Sequence, residues 1–362
     1  MVSARRSLKN LKAYKPGKPV EELKRELDLK EVYKLASNEI PFVPAYIFKA
    51  VLSQIPQINR YPEASSHYVR QKLARTLKVK PDRLVFGNGS DELIVMTLRA
   101  FVEERDEVII GTPTFLIYEI QSQVAGARIK KVPLRDYRYD LETIARAITK
   151  KTKMIFIANP DNPHGTYVTH EEVVKFLNKV PKNVLVFFDE AYFEFVMNKD
   201  YPRTLALLKT RKNIIMSRTF SKAYGLAGVR IGYAVCDPEV AQCLNNVREP
   251  FNIDRFAQAC ASAALDNYRF VEKVKNHIVK EKRYLYRELA KLNLEYIESV
   301  TNFILINFKK DTARLNEYLL RKGIIVRPLA EWGLPEFFRV TVGLHKENEA
   351  FIRHLKGFLK NK

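Results

Sequence analysis

The sequence predicts an α/β protein: a mostly parallel sheet covered by helices, followed by a smaller α+β domain. Three observations carry that prediction. Short apolar runs rich in Val, Ile and Phe alternate with helical stretches from about residue 84 to 235, the pattern of strands buried on both faces by crossover helices. Several runs end in a polar or glycine-bearing turn, where open α/β sheets hold their ligands. From about Pro250 the alternation gives way to a long helical region and a helix–strand–helix order with few strands.

Taken in order, residues 1–34 form a basic arm in which Tyr14, Pro16 and Pro19 mark an extended segment before a short amphipathic helix, Val20–Leu27. The arm is expected to pack on the small domain or on a partner subunit. Residues 35–245 make the large domain. Lys34–Glu39 reads as a short strand, followed by a helix near Ala45–Ile55, a rigid Arg60-Tyr61-Pro62 turn and a helix over Ser66–Leu77. Arg83 to Glu92 reads as strand, glycine turn and helix start, with Ser90 or Asp91 as the cap and free N–H groups for a phosphate. Further strands are expected at Glu107–Ile110, Arg128–Val132, Met154–Ala158, Val184–Phe188, Asn213–Ser217 and Ile231–Val235, with a helix through Tyr118–Ala125. Residues 246–362 make the small domain, joined by a long helix near 240–270. It continues as a helical region over Phe256–Leu292, strands at Asn302–Phe308 and Phe337–Gly343, and a last amphipathic helix.

Composition narrows the function. The 362 residues are 46% hydrophobic and 28% charged, as in ordinary globular proteins. No apolar run approaches the ~18 residues that span a bilayer, so no membrane role is expected. The start is basic, but no apolar segment of the secretory kind follows it. Three cysteines without metal-ligand spacing fit a reducing compartment, hence a cytoplasmic protein with no metal. The net charge of +21 could serve nucleic acid, an anionic substrate or surface adaptation. The charge is spread along the chain without a zinc-finger or RNP-like motif, so nucleic acid is set aside.

The densest chemistry lies between Arg218 and Tyr233. Lys222 sits among hydroxyls and glycines (Thr219, Ser221, Gly225, Gly228), and Arg230 follows eight positions later. A reactive amine beside an anion site suits a phosphorylated aldehyde, which the lysine can bind as a Schiff base. Asp189 closes a strongly apolar run, where a carboxylate is costly unless it caps a helix or meets a cation such as a protonated pyridine nitrogen. Asn159 to Gly165 is a loop stiffened by two prolines and offering two amides.

Together these stretches resemble the fold-type I pyridoxal-phosphate (PLP) aminotransferases over nearly the whole chain. The match rests on the Asn-Pro-x-Asn-Pro-x-Gly loop, the Asp-Glu-Ala-Tyr segment and the Ser-Lys-Ala-x-x-Leu-Ala-Gly-x-Arg-x-Gly-Tyr segment, in that order and spacing. The stretches Leu35–Glu39, Arg60–Pro62, Gly87–Glu92 and Arg339–Gly343 narrow it to the histidinol-phosphate aminotransferase subgroup. The resemblance implies PLP as cofactor, with Lys222 as Schiff-base lysine and proton carrier. It pairs Asp189 with the pyridine nitrogen, places Asn162 and Tyr192 on the phenolic oxygen and stacks Phe115 on the ring. It assigns the phosphate to Ser90, Asp91, Thr219, Ser221 and Arg230. Tyr61 is implied to reach in from the second subunit of a homodimer with a shared active site. Tyr14, Asn38, Asn162, Arg327 and Arg339 are implied to contact substrate.

The implied reaction is ping-pong transfer of an amino group from histidinol phosphate to 2-oxoglutarate. Alternatives on the same scaffold are an aromatic amino acid aminotransferase and a threonine-phosphate decarboxylase-like lyase. A PLP-sensing regulator is disfavoured, because the body begins by about residue 35 and leaves no room for a DNA-binding domain. Three positions depart from the family's usual residues: Asp161 and His164 replace Asn and Thr in the proline loop, and Ile40 replaces Asn. A loop hydrogen bond is the role expected of His164.

Overall fold

The computed structural model describes residues 2–360. β1 (Tyr33–Lys34) stands apart from the larger sheet. That sheet is built from β2 (Leu84–Gly87), β3 (Glu107–Thr112), β4 (Arg128–Pro133), β5 (Thr152–Ala158), β6 (Leu185–Asp189), β7 (Ile214–Thr219) and β8 (Gly232–Val235), in the order β2-β8-β7-β6-β5-β3-β4. The five strands from β7 to β4 are parallel, and β8 is antiparallel to both its neighbours, so β2 runs with the majority. Every residue of β6 is buried, as its Val-Phe-Phe run requires. The helices between strands are started by local chemistry. Thr169 and Glu172, for example, form a reciprocal capping box on the helix His170–Lys179.

A second, antiparallel sheet comprises β9 (Glu295–Ile297), β10 (Phe303–Asn307), β12 (Arg327–Leu329) and β13 (Leu334–Thr341), in the order β12-β13-β10-β9. Between them β11 (Ile324–Ile325) pairs in parallel with β1. The short helix Val20–Leu27 buries Leu23 against Ala36 and Ile325. One apolar cluster runs from Phe156 and Phe187 in the larger sheet to Phe303 and Phe338 in the smaller one, so the sheets share packing.

Several expected elements differ. No single helix spans 240–270: Pro238–Val247 and Arg255–Asp266 are separate, each started by an aspartate, Asp237 and Asp254, that accepts backbone N–H groups. Pro250 lies in the interruption, where a helix would lose a hydrogen bond. The helical region beyond breaks again at Asn267, giving Tyr268–Lys291. Neither Ser90 nor Asp91 caps its helix, which begins at Gly89 behind Asn88. The Asn88 N–H is instead taken by Glu92 Oε2 at 2.5 Å.

Candidate active site

The chain leaves the larger sheet through turns that converge on one cavity of about 290 Å3. Asp189 ends β6, and Thr219 ends β7 and leads to Ser221 and Lys222. β5 runs into the Asn162 loop, β3 into Thr114 and Phe115, and β2 into the helix Gly89–Phe101. Arg327 and Arg339, register partners across β12 and β13, close the cavity from the second sheet. Tyr14 and Asn38 close it from the N-terminal segment.

Two charges in this cavity lack an ordinary partner. Lys222 is half-buried in the cavity wall, and its Nζ donates to the Ser37 carbonyl at 3.2 Å. Burial, then the nearby Arg339, brings its amine down to about 8. Asp189 is buried. It accepts from the Tyr118 hydroxyl at 2.7 Å and the Ala191 N–H at 3.1 Å, yet burial dominates and raises its carboxyl to about 6. Tyr192 accepts from Asn38 Nδ2 at 2.8 Å, and burial lifts its hydroxyl to about 12, so it stays protonated.

The cationic wall is oriented with care. Arg339 donates to the Ala36 carbonyl at 2.7 Å and to Asn162 Oδ1, which turns the Asn162 amide so that its NH2 remains free to donate. Arg327 donates to the Lys15 carbonyl at 2.7 Å and meets Glu331 at 3.1 Å. The Nε of both arginines is buried without a partner. At the opposite end Arg230 reaches Ser221 Oγ and Asp91, each at 3.3 Å. A Cβ on Gly89 would lie 2.5 Å from the Arg230 guanidinium, so a side chain there would push Arg230 aside, at a φ of +75° that favours glycine.

Comparison with known proteins agrees with this geometry. The aminotransferase class I and II family matches residues 30–355. The chain belongs to that family. It is 42% identical over 360 residues to a histidinol-phosphate aminotransferase 2 of Haemophilus influenzae (strain 86-028NP), covering 99% of this chain and 98% of the relative. It is 43% identical over 357 residues to the histidinol-phosphate aminotransferase of Moorella thermoacetica, covering 98% and 92%. The crystal structure of the Sinorhizobium meliloti histidinol-phosphate aminotransferase in complex with pyridoxal-5'-phosphate superposes with a TM-score of 0.91 at 29% identity. That alignment covers 100% of this chain and 98% of the other.

In this aminotransferase all the site residues expected from sequence except Tyr61 line the one cavity. Tyr61 is 78% exposed and stacks on Phe251 with ring centres 4.6 Å apart, outside that cavity. The donor set fits PLP. The free N–H groups at the start of the helix Gly89–Phe101, with Ser221 and Arg230, suit a phosphate. Asp189, short of a cation, suits a ring nitrogen that carries a proton. Two features escaped the sequence reading. Tyr118, which bonds Asp189, has a wholly buried side chain and looks like core. Glu190 forms a buried ion pair with Arg218 at 2.8 Å, which ties the end of β6 to the end of β7. Adjacent acidic residues in Asp189-Glu190 were the available signal for the second. Among the described residues no cluster of His, Cys, Asp and Glu could hold a metal, and no helix is long and apolar enough to cross a membrane.

Proposed function

We propose that this chain transfers the amino group of L-histidinol phosphate to 2-oxoglutarate with PLP as cofactor, giving imidazole acetol phosphate and L-glutamate. The observation that carries the reading is a half-buried Lys222 amine in one cavity with a buried Asp189 carboxylate, neither with a counter-charge, and with three arginines. The identity of 42% and 43% to histidinol-phosphate aminotransferases across nearly the whole chain supports the substrate.

Bound PLP supplies a carbonyl to carry the amino group and a ring that withdraws electrons. The protein does the rest. Asp189 keeps a proton on the ring nitrogen, and Asn162 and Tyr192 donate to the phenolic oxygen. Ser90, Asp91, Thr219, Ser221 and Arg230 fix the phosphate, the first two through backbone N–H groups, and Phe115 covers the ring face. Lys222, with an amine near 8, is available at neutral pH to take the proton from the substrate's amine-bearing carbon and return it on the other side of the transfer. Arg327 and Arg339 bind the phosphate of one substrate and a carboxylate of the other, with Tyr14 and Asn38 lining the same wall.

The enzyme is proposed to be a homodimer in which Tyr61 completes the partner's site. Tyr61 and the apolar side chains Val43, Phe48, Leu52, Ile58 and Tyr68, all from the same stretch of sequence, are exposed in the single chain, and an interface would cover them. The deciding experiment mixes the PLP-loaded protein with histidinol phosphate, and separately with phenylalanine, and follows the cofactor's absorbance. Conversion by histidinol phosphate alone is expected. Conversion mainly by phenylalanine would move the assignment to aromatic amino acids, and no conversion by either would remove the transaminase reading.

A further inference from the structure

We propose that Asp161 and His164 form a buried positioning pair that joins the two sides of the cofactor pocket through one carboxylate. The inference rests on the reading that Phe115 and Asn162 flank PLP. Asp161 and His164 are each 1% exposed, and neither lines the cavity. They act on it through their neighbours.

Asp161 Oδ1 accepts from Thr114 Oγ1 at 2.5 Å, and Thr114 immediately precedes Phe115. Asp161 Oδ2 lies 2.5 Å from His164 Nδ1. A buried carboxylate only accepts, so Nδ1 is the nitrogen that carries the proton. Thr114 Oγ1 is also 2.8 Å from the Tyr139 hydroxyl, which accepts the Ala158 N–H at 3.1 Å at the end of β5. The backbone of the same loop is held as well. The Asp161 N–H donates to the Thr166 carbonyl at 2.8 Å, and the Asp161 carbonyl accepts from Gly165 at 2.9 Å. The Gly165 carbonyl accepts from Val300 at 2.9 Å, just before β10. With its backbone fixed this way, the loop has little freedom except through the carboxylate that stands next to Asn162.

An uncharged amide at position 161 could not serve both neighbours. With its NH2 toward His164 it would meet the Nδ1 proton, and with its NH2 toward Thr114 that hydroxyl would have to give its hydrogen to Tyr139, whose own buried O–H would then lose its acceptor. Either segment would be released: the Phe115 turn over the ring face, or the Asn162 loop at the phenolic oxygen. Neither side chain touches the reacting atoms, so both are positioning residues.

The test compares Asp161→Asn, His164→Thr, the double variant and Thr114→Val with the parent. Two quantities are measured: the PLP affinity of the apoprotein, and the pH midpoint of the bound cofactor's absorbance change. Each single change at 161 or 164 is expected to weaken PLP binding by about tenfold. Each should also raise the midpoint, because a misplaced Asn162 donor no longer favours the deprotonated phenolic oxygen. The double variant should recover to within about threefold of the parent, since coupled neighbours do not add. Single variants with parental affinity and midpoint but a lower melting temperature would overturn the proposal, as would losses that simply multiply in the double. Should Asp161→Asn fail to fold, Thr114→Val decides: it removes one hydroxyl and is expected to weaken PLP several-fold, and unchanged affinity overturns the proposal. A parent protein that takes up no PLP would strike at the functional reading instead, and that is visible before any variant is made.

Discussion

Replacing Asp189 by Asn should stabilise the cofactor-free protein at alkaline pH while disabling the enzyme. In the unfolded chain this carboxyl titrates at its ordinary value of 3.8, and in the fold burial raises it to about 6. Between these values the folded protein holds a proton that the unfolded chain has released. The associated stability is therefore full below the unfolded value and is lost as pH rises through about 6. A displacement of about two units is worth about 3 kcal/mol in all, of which roughly half is still to be lost above about pH 5. The amide that replaces the carboxyl does not titrate. Urea unfolding of the two apoproteins at about pH 5 and about pH 8 should therefore show the variant gaining on the parent by roughly 1 to 2 kcal/mol over that interval. With PLP bound the parent should lose this dependence, because a ring cation opposite Asp189 lowers its carboxyl again. Turnover by the variant should fall by about 100-fold or more, the scale on which fixed transition-state charges act. A stability difference that does not change between the two pH values, or a variant of near-normal turnover, would refute the assignment of Asp189 as a buried carboxylate awaiting a cation.

Lys222→Ala should bind PLP without the covalent absorbance signature and lose about a thousandfold or more in turnover, read in a single-turnover assay. Mixing Lys222→Ala with Tyr61→Ala subunits should restore about a quarter of the parental sites, because half the dimers are hybrids and each hybrid has one intact site. Recovery near zero would show that Tyr61 acts in its own subunit, and about half the parental activity would show that it does not act at all. Arg339→Lys keeps the charge but cannot hold both Asn162 and the Ala36 carbonyl, so KM for the phosphorylated donor should rise by about tenfold to a hundredfold. Gly89→Ala places a methyl against the Arg230 guanidinium at a φ of +75°, and equilibrium titration should show PLP affinity reduced by about tenfold.

The larger sheet was legible because its strands are apolar runs with a polar residue at the far end, and Asp189 and Lys222 stand at two such ends. The smaller sheet was half hidden. β9 has an exposed or half-buried sequence, Glu-Tyr-Ile, and β12 carries Pro328, so neither shows an alternating or apolar pattern. The helix breaks at Asn267 and around Pro250 depend on where each piece packs, which periodicity alone does not fix. Beside the site, a contact close in sequence was readable in kind: the loop hydrogen bond expected of His164 is made to Asp161. Contacts between distant segments were not: Asn162 meets Arg339 across 177 positions, and Glu190 meets Arg218 because β6 and β7 are neighbours in register. Tyr118 was missed for a different reason. Its ring stacks on Phe156 as a core residue would, and only its hydroxyl belongs to the site.

The two shifted groups, taken together, describe the charge pattern of the ligand this cavity was built to receive. Burial moves Asp189 and Lys222 toward each other on the pH scale, to about 6 and about 8, and the protein gives neither a counter-charge. A carboxylate in that position is relieved by a cation at the end of β6. An amine in that position is relieved by becoming part of a covalent bond or by an approaching anion that neutralises Arg339 beside it. In the proposed function one molecule would meet both needs, presenting a protonated ring nitrogen to the first and an electrophilic carbon to the second. Its phosphate must then reach the helix that begins at Gly89. The arginines of the second sheet remain free to select the anionic group of whatever amine arrives.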